Sequence, residues 1–477
     1  MLFNSAEFLV FLPIVFGLYW FVTHRHLRAQ NLLLLVASYV FYGWWDWRFL
    51  GLIALSTLVD YFVGIRIEEA DDQQRKKRWL WVSLAVNLGI LGYFKYANFF
   101  IENWIAAWDS LGVTMHASTL QVILPVGISF YTFQTLSYSI DIYRGNLKAT
   151  RDPVAFAAFV SFFPQLVAGP IERATNLLPQ ITSPRTFTYD QGRDGMRLIL
   201  WGMFKKVVVA DSCAPYVDAC FDNPEAFSGG TLILGAILFS FQIYGDFSGY
   251  SDIAIGTAKL FGFELMTNFK FPYFARDIAE FWRRWHISLT TWFRDYLYIP
   301  LGGSRVSKTK AIRNVFVIFL VSGFWHGANW TFIVWGGIHA LLFIPLFLRG
   351  TNRKNTTSII AEGRWLPSPR ELLQMGWTFT AVTIALVFFR ADSLDHAATF
   401  LAHTFTHLIE GGIRRVWPWP ALLAVSLLIV VDFMVQQRRA PKWFGSRILR
   451  MLAYGFIGAL IAFRFEEATA SFIYFQF

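Results

Sequence analysis

Long apolar runs separated by short charged segments dominate this chain of 477 residues. Hydrophobic residues make up 55% of it and charged residues only 16%, against roughly 25% charged residues in an ordinary soluble domain. A membrane span takes about 20 apolar residues, so the composition can supply roughly ten spans. The sequence therefore predicts an all-α, polytopic integral membrane protein, and it excludes a soluble enzyme and a disulfide-built secreted domain.

The distribution of basic residues predicts the topology. Residues 1–23 contain no Lys or Arg, which is typical of a retained first span with its N-terminus outside. The first, third and fifth loops carry two, five and three basic residues, whereas the second and fourth carry one and none. Because cytoplasmic loops are rich in Lys and Arg, we expect residues 66–78 and 305–313 in the cytoplasm. The loop Trp104–Met115 and the N-terminus are then expected in the periplasm.

The chain is interpreted as one membrane-embedded domain, residues 1–477, whose regularity changes near residue 150. Residues 1–150 form the N-terminal spans, of which the second to fourth are predicted near 30–45, 49–65 and 79–101. Beyond residue 150, Gly, Pro and charged residues interrupt the apolar runs. Lipid cannot satisfy free backbone groups, so such breaks are expected to line a cavity. The functional core is therefore expected between residues 240 and 340.

Two features exclude other classes of binding protein. The basic excess of 42 Lys and Arg over 32 Asp and Glu is spread over short loop clusters, which suits anionic lipid rather than nucleic acid. Cys213 and Cys220 have no His or Cys partners at metal-ligand spacing, so they are interpreted as buried free thiols rather than a disulfide. No metal site is expected.

Residues 241–252 carry two carboxylates, Asp246 and Asp252, and two glycines in an otherwise apolar run. One interpretation is a broken helix whose aspartates cap a helix start or pair with an Arg. The other is a carboxylate pair that moves protons or ions. The residues alone leave both open.

Residues 281–296 have the periodicity of an amphipathic helix lying at the membrane interface. Trp285 belongs to its apolar face, and Glu280 is spaced to pair with Arg284 one turn later. His286 lies on a neighbouring, half-buried face. It is either a hydrogen-bonded structural residue or part of a site.

Residues 322–330 place a histidine at membrane depth. His326 lies twelve residues beyond Asn314, so a straight helix would carry it roughly 18 Å into the bilayer, near its middle. An ionisable group there is a functional candidate by default, although a packed structural His is the alternative. Asn329, three residues on, would share a helical face and could fix the imidazole tautomer.

Several familiar chemistries are absent from the sequence. It contains no GxSxG elbow, Walker loop, HExxH or CxxC motif. His326 and His339 are 13 residues apart, which is about 220° around a single helix and unsuited to a shared metal. A zinc site is therefore not expected.

These segments resemble a known family, the membrane-bound O-acyltransferases, and most of all its bacterial branch of alginate and peptidoglycan O-acetyltransferases. The resemblance runs from end to end, and the two His motifs are long and specific. The matching segments are Met1–Trp20, Leu124–Tyr131, Val167–Arg173, Tyr244–Asp252, Phe281–Ser304, Ser322–Trp330 and Phe472–Phe477.

The resemblance implies about eleven transmembrane helices, with re-entrant or interfacial helices, around a central channel. It also implies transfer of an acyl group from a cytoplasmic thioester, usually an acyl-CoA, to a hydroxyl. His326 occupies the position of the family's signature histidine, and His286 that of the second histidine. The expected supporting residues are Asn329, Trp325, Trp285, Asp246 and Asp252. No tightly bound cofactor is expected, since acetyl-CoA would be a substrate.

The chemistry assigns roles to these groups. A thioester is already activated, so the enzyme mainly needs a base for the hydroxyl and an oriented carbonyl. An unpaired imidazolium deep in the membrane is costly, so neutral His326 is expected to be the base, and His286 to orient the thioester or stabilise charge on its carbonyl oxygen. CoA phosphates need cations. The donor-binding candidates are Arg283, Arg284, Arg294, Arg305, Lys308, Lys310 and Arg313, with positive-inside anchoring as the equal alternative.

The leading hypothesis is transfer of acetyl from acetyl-CoA across the bacterial inner membrane to an exported polysaccharide of the alginate or peptidoglycan type. A periplasmic SGNH-type transferase is the expected partner. The alternatives are D-alanyl transfer from a carrier protein to an envelope polymer, and a secondary transporter or flippase. The two halves of the chain do not echo each other, which counts against the transporter.

Overall fold

The computed structural model describes residues 1–115, 119–120, 123–408, 418–438 and 445–465. The regular structure of these residues is helical, as predicted. Seven helical stretches among them are long and apolar enough to cross a membrane. Two shorter apolar helical segments, Ala6–Val22 and Pro153–Leu166, add to these. The protein is therefore a multi-pass membrane protein, and the terminal motif Phe472–Phe477 lies outside the described residues.

The chain divides into two compact units, which are described separately. The first comprises Met1–Ile199 with Ile253–Met266, and the second comprises Leu200–Asp252 with Thr267–Phe477. The helices of the first unit are α1 (Ala6–Gly17), α2 (Leu27–Asp46), α3 (Leu50–Glu69), α4 (Gln73–Leu91), α5 (Ala97–Asp109), α6 (Ile128–Tyr143), α7 (Pro153–Ser161), α8 (Phe163–Leu166), α9 (Ala174–Thr182) and most of α10 (Tyr189–Met203).

The N-terminal spans form where the apolar runs predict them, with one correction. The runs predicted at 30–45 and 49–65 are α2 and α3. The fourth run was expected to end near residue 101, but helix continues through α5 to Asp109. The segment Ala97–Asp109 contains no Gly or Pro. The chain turns after it at Gly112, whose φ is +77°. Trp104 and Trp108 are therefore helical residues and not loop residues.

A buried carboxylate ties together three helices of the first unit. Asp60 of α3 is fully buried and accepts hydrogen bonds from Ser83 (2.5 Å), Asn87 (2.7 Å) and Ser139 (2.7 Å). These donors come from α4 and α6, so one carboxyl group joins three helices. Neutral donors thus satisfy a polar group that would otherwise be costly among apolar helices.

Two of the basic segments predicted to share one side of the membrane contact each other in the first unit. Arg151, which follows α6, pairs with Glu69 at 2.7 Å and with Glu68 at 3.4 Å. Those glutamates end α3, within the segment 66–78. The contact agrees with placing both segments on the same side.

The second unit contains the long helix α12 and the helices that follow it. They are α11 (Asp211–Asp222), α12 (Gly229–Leu260, whose end belongs to the first unit), α13 (Ile278–Arg284), α14 (Ile287–Phe293), α15 (Lys308–His326), α16 (Trp330–Leu348), α17 (Pro369–Arg390), α18 (Leu394–Thr406), α19 (Trp419–Gln436) and α20 (Arg447–Phe465). A π-helical segment, Phe204–Ala210, joins α10 to α11. Cys213 and Cys220 of α11 are buried free thiols, as predicted.

Helix α12 runs unbroken through Gly245 and Gly249, so the predicted break in this segment is wrong. A Cβ at Gly245 would lie 2.9 Å from the carbonyl oxygen of Lys205, and one at Gly249 would lie 2.7 Å from that of Gly202. These glycines therefore let another backbone approach closely, and their lower helix propensity is offset by that packing.

Helices α15 and α16 form a hairpin packed through glycine. A Cβ at Gly323 would lie 2.2 Å from the carbonyl oxygen of Phe332, and a Cβ at Gly336 would lie 2.3 Å from that of Phe319. Both clashes are with backbone, which cannot move aside as a side chain can. Gly323 and Gly336 thus form a helix-packing surface, where small residues let two backbones approach closely.

We predict that Gly336→Ala lowers the free energy of unfolding by about 1–3 kcal/mol, because its methyl group overpacks the hairpin. The matched control is Gly337→Ala, since a Cβ there meets only the tip of Leu320 at 3.7 Å. Thermal unfolding of both variants in detergent tests this. Equal melting temperatures for the two variants would contradict it.

Candidate active site

His326 is the last residue of α15 and lies 4% exposed. The helix stops because Gly327 turns to an extended conformation, with φ −161°. A Cβ at Gly327 would clash with the ring of Phe332, so any larger residue here would have to displace that ring. The end of the helix thereby places the imidazole among aromatic rings, with centroids 5.2 Å from Trp335 and 5.3 Å from Phe389.

His286 lies in a sharp turn between α13 and α14, so the predicted continuous amphipathic helix is wrong. Its φ is +44° and its ψ is 54°, a left-handed conformation that costs a non-glycine residue of order 1–3 kcal/mol. The N–H of Ile287 donates to the carbonyl oxygen of Asn268 at 2.9 Å and helps to hold the turn. The predicted Glu280–Arg284 pair does form, at 2.5 Å.

The two histidines lie side by side. Their ring centroids are 6.3 Å apart, and the indole of Trp325 contacts both, at 5.0 Å from His326 and 6.1 Å from His286. His286 is 1% exposed, and Phe247 of α12 packs edge-on against it at 4.6 Å. It lies outside the candidate membrane spans, and burial lowers the pKa of its imidazole, which favours the neutral ring.

A small pocket lies beside His326. Its free volume is about 10 Å³, which is room for about one water molecule. Its lining residues are Ile243, Phe281, Trp285, His326, Trp335, His339, Val382, Leu386 and Phe389. The predicted supporting residue Trp285 is thus a wall of this cavity, stacked on Phe281 with centroids 5.5 Å apart.

From the sequence, His339 is not expected to share a site with His326, because the two residues would lie far apart around a single helix. The helix ends at His326 and a new one carries His339, so both reach the same cavity. The indole N–H of Trp282 donates to Nδ1 of His339 at 3.3 Å, which makes it a hydrogen-bonded wall residue. No three His, Cys, Asp or Glu side chains converge as a metal site in the part of the chain that the structure describes.

Asn329 does not lie on the same helical face as His326, and that expectation is corrected. The helix ends before it, and Asn329 caps α16 by accepting from the N–H of Thr331 at 3.1 Å. Its amide donates to the carbonyl oxygen of Asp392 at 2.9 Å. Asn329 therefore orients the start of α16 rather than an imidazole.

Asp246 and Asp252 are paired with lysines. Lys206 lies between Asp246 (2.9 Å) and Asp211 (2.8 Å), and Lys205 contacts Asp252 at 2.6 Å. The prediction that they pair holds, but the cations are Lys rather than Arg. Both lysines lie in the π-helical segment that packs on α12, so these ion pairs join the segment to that helix.

The predicted donor-binding cations have different surroundings. Arg283 donates to the carbonyl oxygens of Asn352 (2.8 Å) and Asn355 (3.1 Å), while Arg284 pairs with Glu280 and the half-exposed Arg294 with Asp295. Arg313 donates to Asn314 at 3.0 Å. The remaining candidates are exposed at the start of α15, namely Arg305, Lys308 and Lys310.

Comparison with known proteins places the sequence in a family. The family model of the membrane-bound O-acyltransferases, MBOAT, matches residues 147–358, which include both histidines. The chain is 46% identical over 409 residues to the probable alginate O-acetylase AlgI of Azotobacter vinelandii, covering 85% of this chain and 78% of that protein. It is 44% identical to the probable alginate O-acetylase AlgI of Pseudomonas putida over the full length of both chains.

The chain belongs to the membrane-bound O-acyltransferase family. It is also 37% identical to the peptidoglycan O-acetyltransferase of Helicobacter pylori, over 100% of this chain and 98% of that protein. The resemblance seen in the motifs is thus confirmed, and the protein is an O-acyltransferase.

Sequence reasoning missed several residues around the histidines of this O-acyltransferase. Trp335 and His339 follow the His326 motif at helical spacing, so a hairpin interpretation of 308–348 would have found them. Phe389 lies in α17, and nothing in its local sequence marks it as a neighbour of His326. Asn268 lies 18 residues before His286 in an irregular segment, where spacing rules do not apply.

We predict that Lys206→Met lowers the free energy of unfolding of the O-acyltransferase by about 3–5 kcal/mol, because it leaves two buried carboxylates without this cation. Arg75→Met is the control, since its pair with Asp72 is exposed and should matter little. Denaturant unfolding in detergent measures both. The prediction is wrong if Lys206→Met unfolds at the wild-type denaturant concentration.

Proposed function

We propose that this O-acyltransferase moves an acetyl group from acetyl-CoA to a hydroxyl of an exported polysaccharide. The observation that carries the proposal is the pair of buried imidazoles of His286 and His326, whose ring centroids are 6.3 Å apart, with His326 lining an aromatic-walled pocket. The identities to proteins named alginate O-acetylase and peptidoglycan O-acetyltransferase support acetyl as the group and an envelope polysaccharide of the alginate or peptidoglycan type as the acceptor.

The reaction needs one proton acceptor close to the thioester. The acceptor hydroxyl oxygen attacks the acetyl carbon while an imidazole takes the hydroxyl proton. The carbon–sulfur bond then breaks, and the proton passes to the sulfur of CoA, so no net proton is released. In this proposal His326 is the general base, because it lines the cavity and a neutral imidazole matches the task near neutral pH.

The cavity walls favour transfer over hydrolysis. Trp285, Trp335 and Phe389 surround His326 with apolar surface, which leaves little room for water that could attack the thioester. A low-dielectric site also strengthens each interaction with developing charge. In this proposal these aromatic rings position the reacting groups and do not themselves react.

We propose that acetyl-CoA binds near the start of α15, where basic residues cluster. Arg305, Lys308 and Lys310 are exposed there, and ammonium and guanidinium groups suit the CoA phosphates. Arg283 and Arg284 are engaged with a loop and with Glu280, so we propose that they shape this region instead. The membrane is proposed to be the bacterial inner membrane, with acetyl passing outward and a periplasmic SGNH-type transferase as the partner.

We predict that purified protein in liposomes releases free CoA thiol from acetyl-CoA when an acceptor hydroxyl is present. His326→Ala should reduce this rate by at least about 10²-fold, the scale of a removed general base. The matched control is His24→Ala, which removes an exposed histidine and should turn over as wild type.

Three results would contradict the proposal in different ways. Flux of a solute without thioester cleavage would indicate a transporter. Acyl transfer only from a carrier-protein thioester would favour the D-alanyl type of reaction. Near-normal turnover of His326→Ala with an inactive His286→Ala would show that the base is His286.

We predict that Gln74→Cys is protected and Val113→Cys is labelled when intact cells are treated with a membrane-impermeant maleimide. The expectation follows from the basic count of the loops, and both positions are exposed. The native cysteines are buried and give little background. Labelling of residue 74 from outside would reverse the proposed topology.

A further inference from the structure

Asn268 contacts His286 directly, although it lies outside every motif found in the sequence. It is 1% exposed, and its side-chain Oδ1 lies 3.0 Å from Nδ1 of His286. Its backbone carbonyl accepts from the N–H of Ile287, so the residue holds the left-handed turn through both its backbone and its side chain. Its position gives Asn268 a role in the orientation and protonation of the His286 imidazole.

The surroundings of Asn268 determine which side-chain atom faces the histidine. The N–H of Ser288 can only donate, and it points to Oδ1 at 3.4 Å, while the hydroxyl of Ser288 donates to the same oxygen at 3.0 Å. The amide nitrogen donates to the hydroxyl oxygen of Ser251 at 3.1 Å. A flipped amide would set N–H against N–H at Ser288, so the oxygen faces His286.

An oxygen at Nδ1 selects one tautomer of the neutral ring. Oδ1 has no proton to donate, so Nδ1 must carry the hydrogen and donate it. Nε2 then has the lone pair. In this form the neutral ring accepts a proton or a hydrogen bond at Nε2, and it cannot donate one to a carbonyl oxygen from that atom.

We infer that Asn268 is a positioning residue that holds His286 in the tautomer whose Nε2 accepts a proton. The inference rests on the proposed function and replaces the role expected of His286 from the sequence. His286 is a second proton acceptor beside His326, rather than a group that orients the thioester or stabilises charge on its carbonyl oxygen. The hydroxyl proton still moves to an imidazole as the oxygen attacks, and leaves on the CoA sulfur as the carbon–sulfur bond breaks.

The described helices packed around His286 carry several titratable groups. From α15 the titratable neighbour is His326, next to Trp325. From α12 the ring meets Phe247, and the carboxylates of that helix that lie in this unit, Asp246 and Asp252, contact Lys206 and Lys205. On α13 the acidic Glu280 is engaged by Arg276 and Arg284, and Arg283 by loop carbonyls. The segment bearing Asn268 adds the apolar ring of Phe269.

Two substitutions at Asn268 test the inference in the acetyl-CoA assay. Asn268→Ala removes the acceptor, and free neutral imidazole prefers the opposite tautomer, so kcat should fall at least about 10-fold with KM for acetyl-CoA nearly unchanged. Asn268→Asp keeps an acceptor but adds negative charge, which stabilises the imidazolium. The acidic limb of its kcat/KM profile should therefore move to higher pH by about one unit.

Ser251→Ala is the matched control, because it removes the hydrogen bond that the amide nitrogen of Asn268 donates and leaves the contact to His286 in place. Its acidic limb should stay at the wild-type pH. Two results together would show that Asn268 is merely structural. The acidic limb of the kcat/KM profile of Asn268→Asp would stay at the wild-type pH, and kcat would fall equally in Asn268→Ala and Ser251→Ala. Absence of wild-type turnover would contradict the proposed function instead.

A measurement that needs no turnover tests the tautomer of His286 separately from the proposed acetyl transfer. Nitrogen-15 spectra of protein carrying labelled histidine report which ring nitrogen is protonated, and a difference spectrum against His286→Gln assigns the signal. The inference expects a protonated Nδ1 and an unprotonated Nε2 at neutral pH. The reverse pattern would overturn it whether or not the protein transfers acetyl.

Discussion

Every polar group buried among these helices needs a partner from the same chain, and that requirement organises much of each unit. In the first unit Asp60 is satisfied by neutral donors from two other helices. In the second unit Lys206 lies between two aspartates and fastens the π-helical segment to α12. Each arrangement joins elements that lie far apart in sequence. Breaking one is costly because the charge left behind cannot reach water.

The two histidines depend on a different feature, the ends of helices. His326 reaches the pocket because α15 ends at this residue. His286 reaches His326 because the chain turns through a left-handed conformation between two short helices. A histidine in the middle of a continuous helix would have its neighbours set by helical spacing. At these ends the neighbours come instead from α12, α16 and α17, which explains how aromatic rings from separate helices reach the two imidazoles.

The sequence predicted the parts of the structure that depend on local pattern. Apolar runs located α2 and α3 closely, and the His motifs identified the two residues that prove to be neighbours. It failed where distant residues decide the outcome. The glycines of α12 suggested a break in the helix. They contact the backbone of residues 202–206 instead, and a contact with such a distant segment cannot be predicted from the local sequence. Asn329 was placed by helical spacing, but the helix had already ended. Asn268 gave no signal, because a lone Asn in an irregular segment has no period to test.

The glycine contacts between α15 and α16 have a consequence for how the cavity can open. Backbones packed this closely cannot slide or part without losing the whole contact, so the hairpin is expected to move as one rigid piece. His326, Trp335 and His339 then keep a constant arrangement through any motion of the protein. The cavity wall formed by Val382, Leu386 and Phe389 lies on α17, outside that hairpin. With the hairpin rigid, widening of the cavity to admit an acceptor has to come from α17 and from the walls that Ile243, Phe281 and Trp285 contribute.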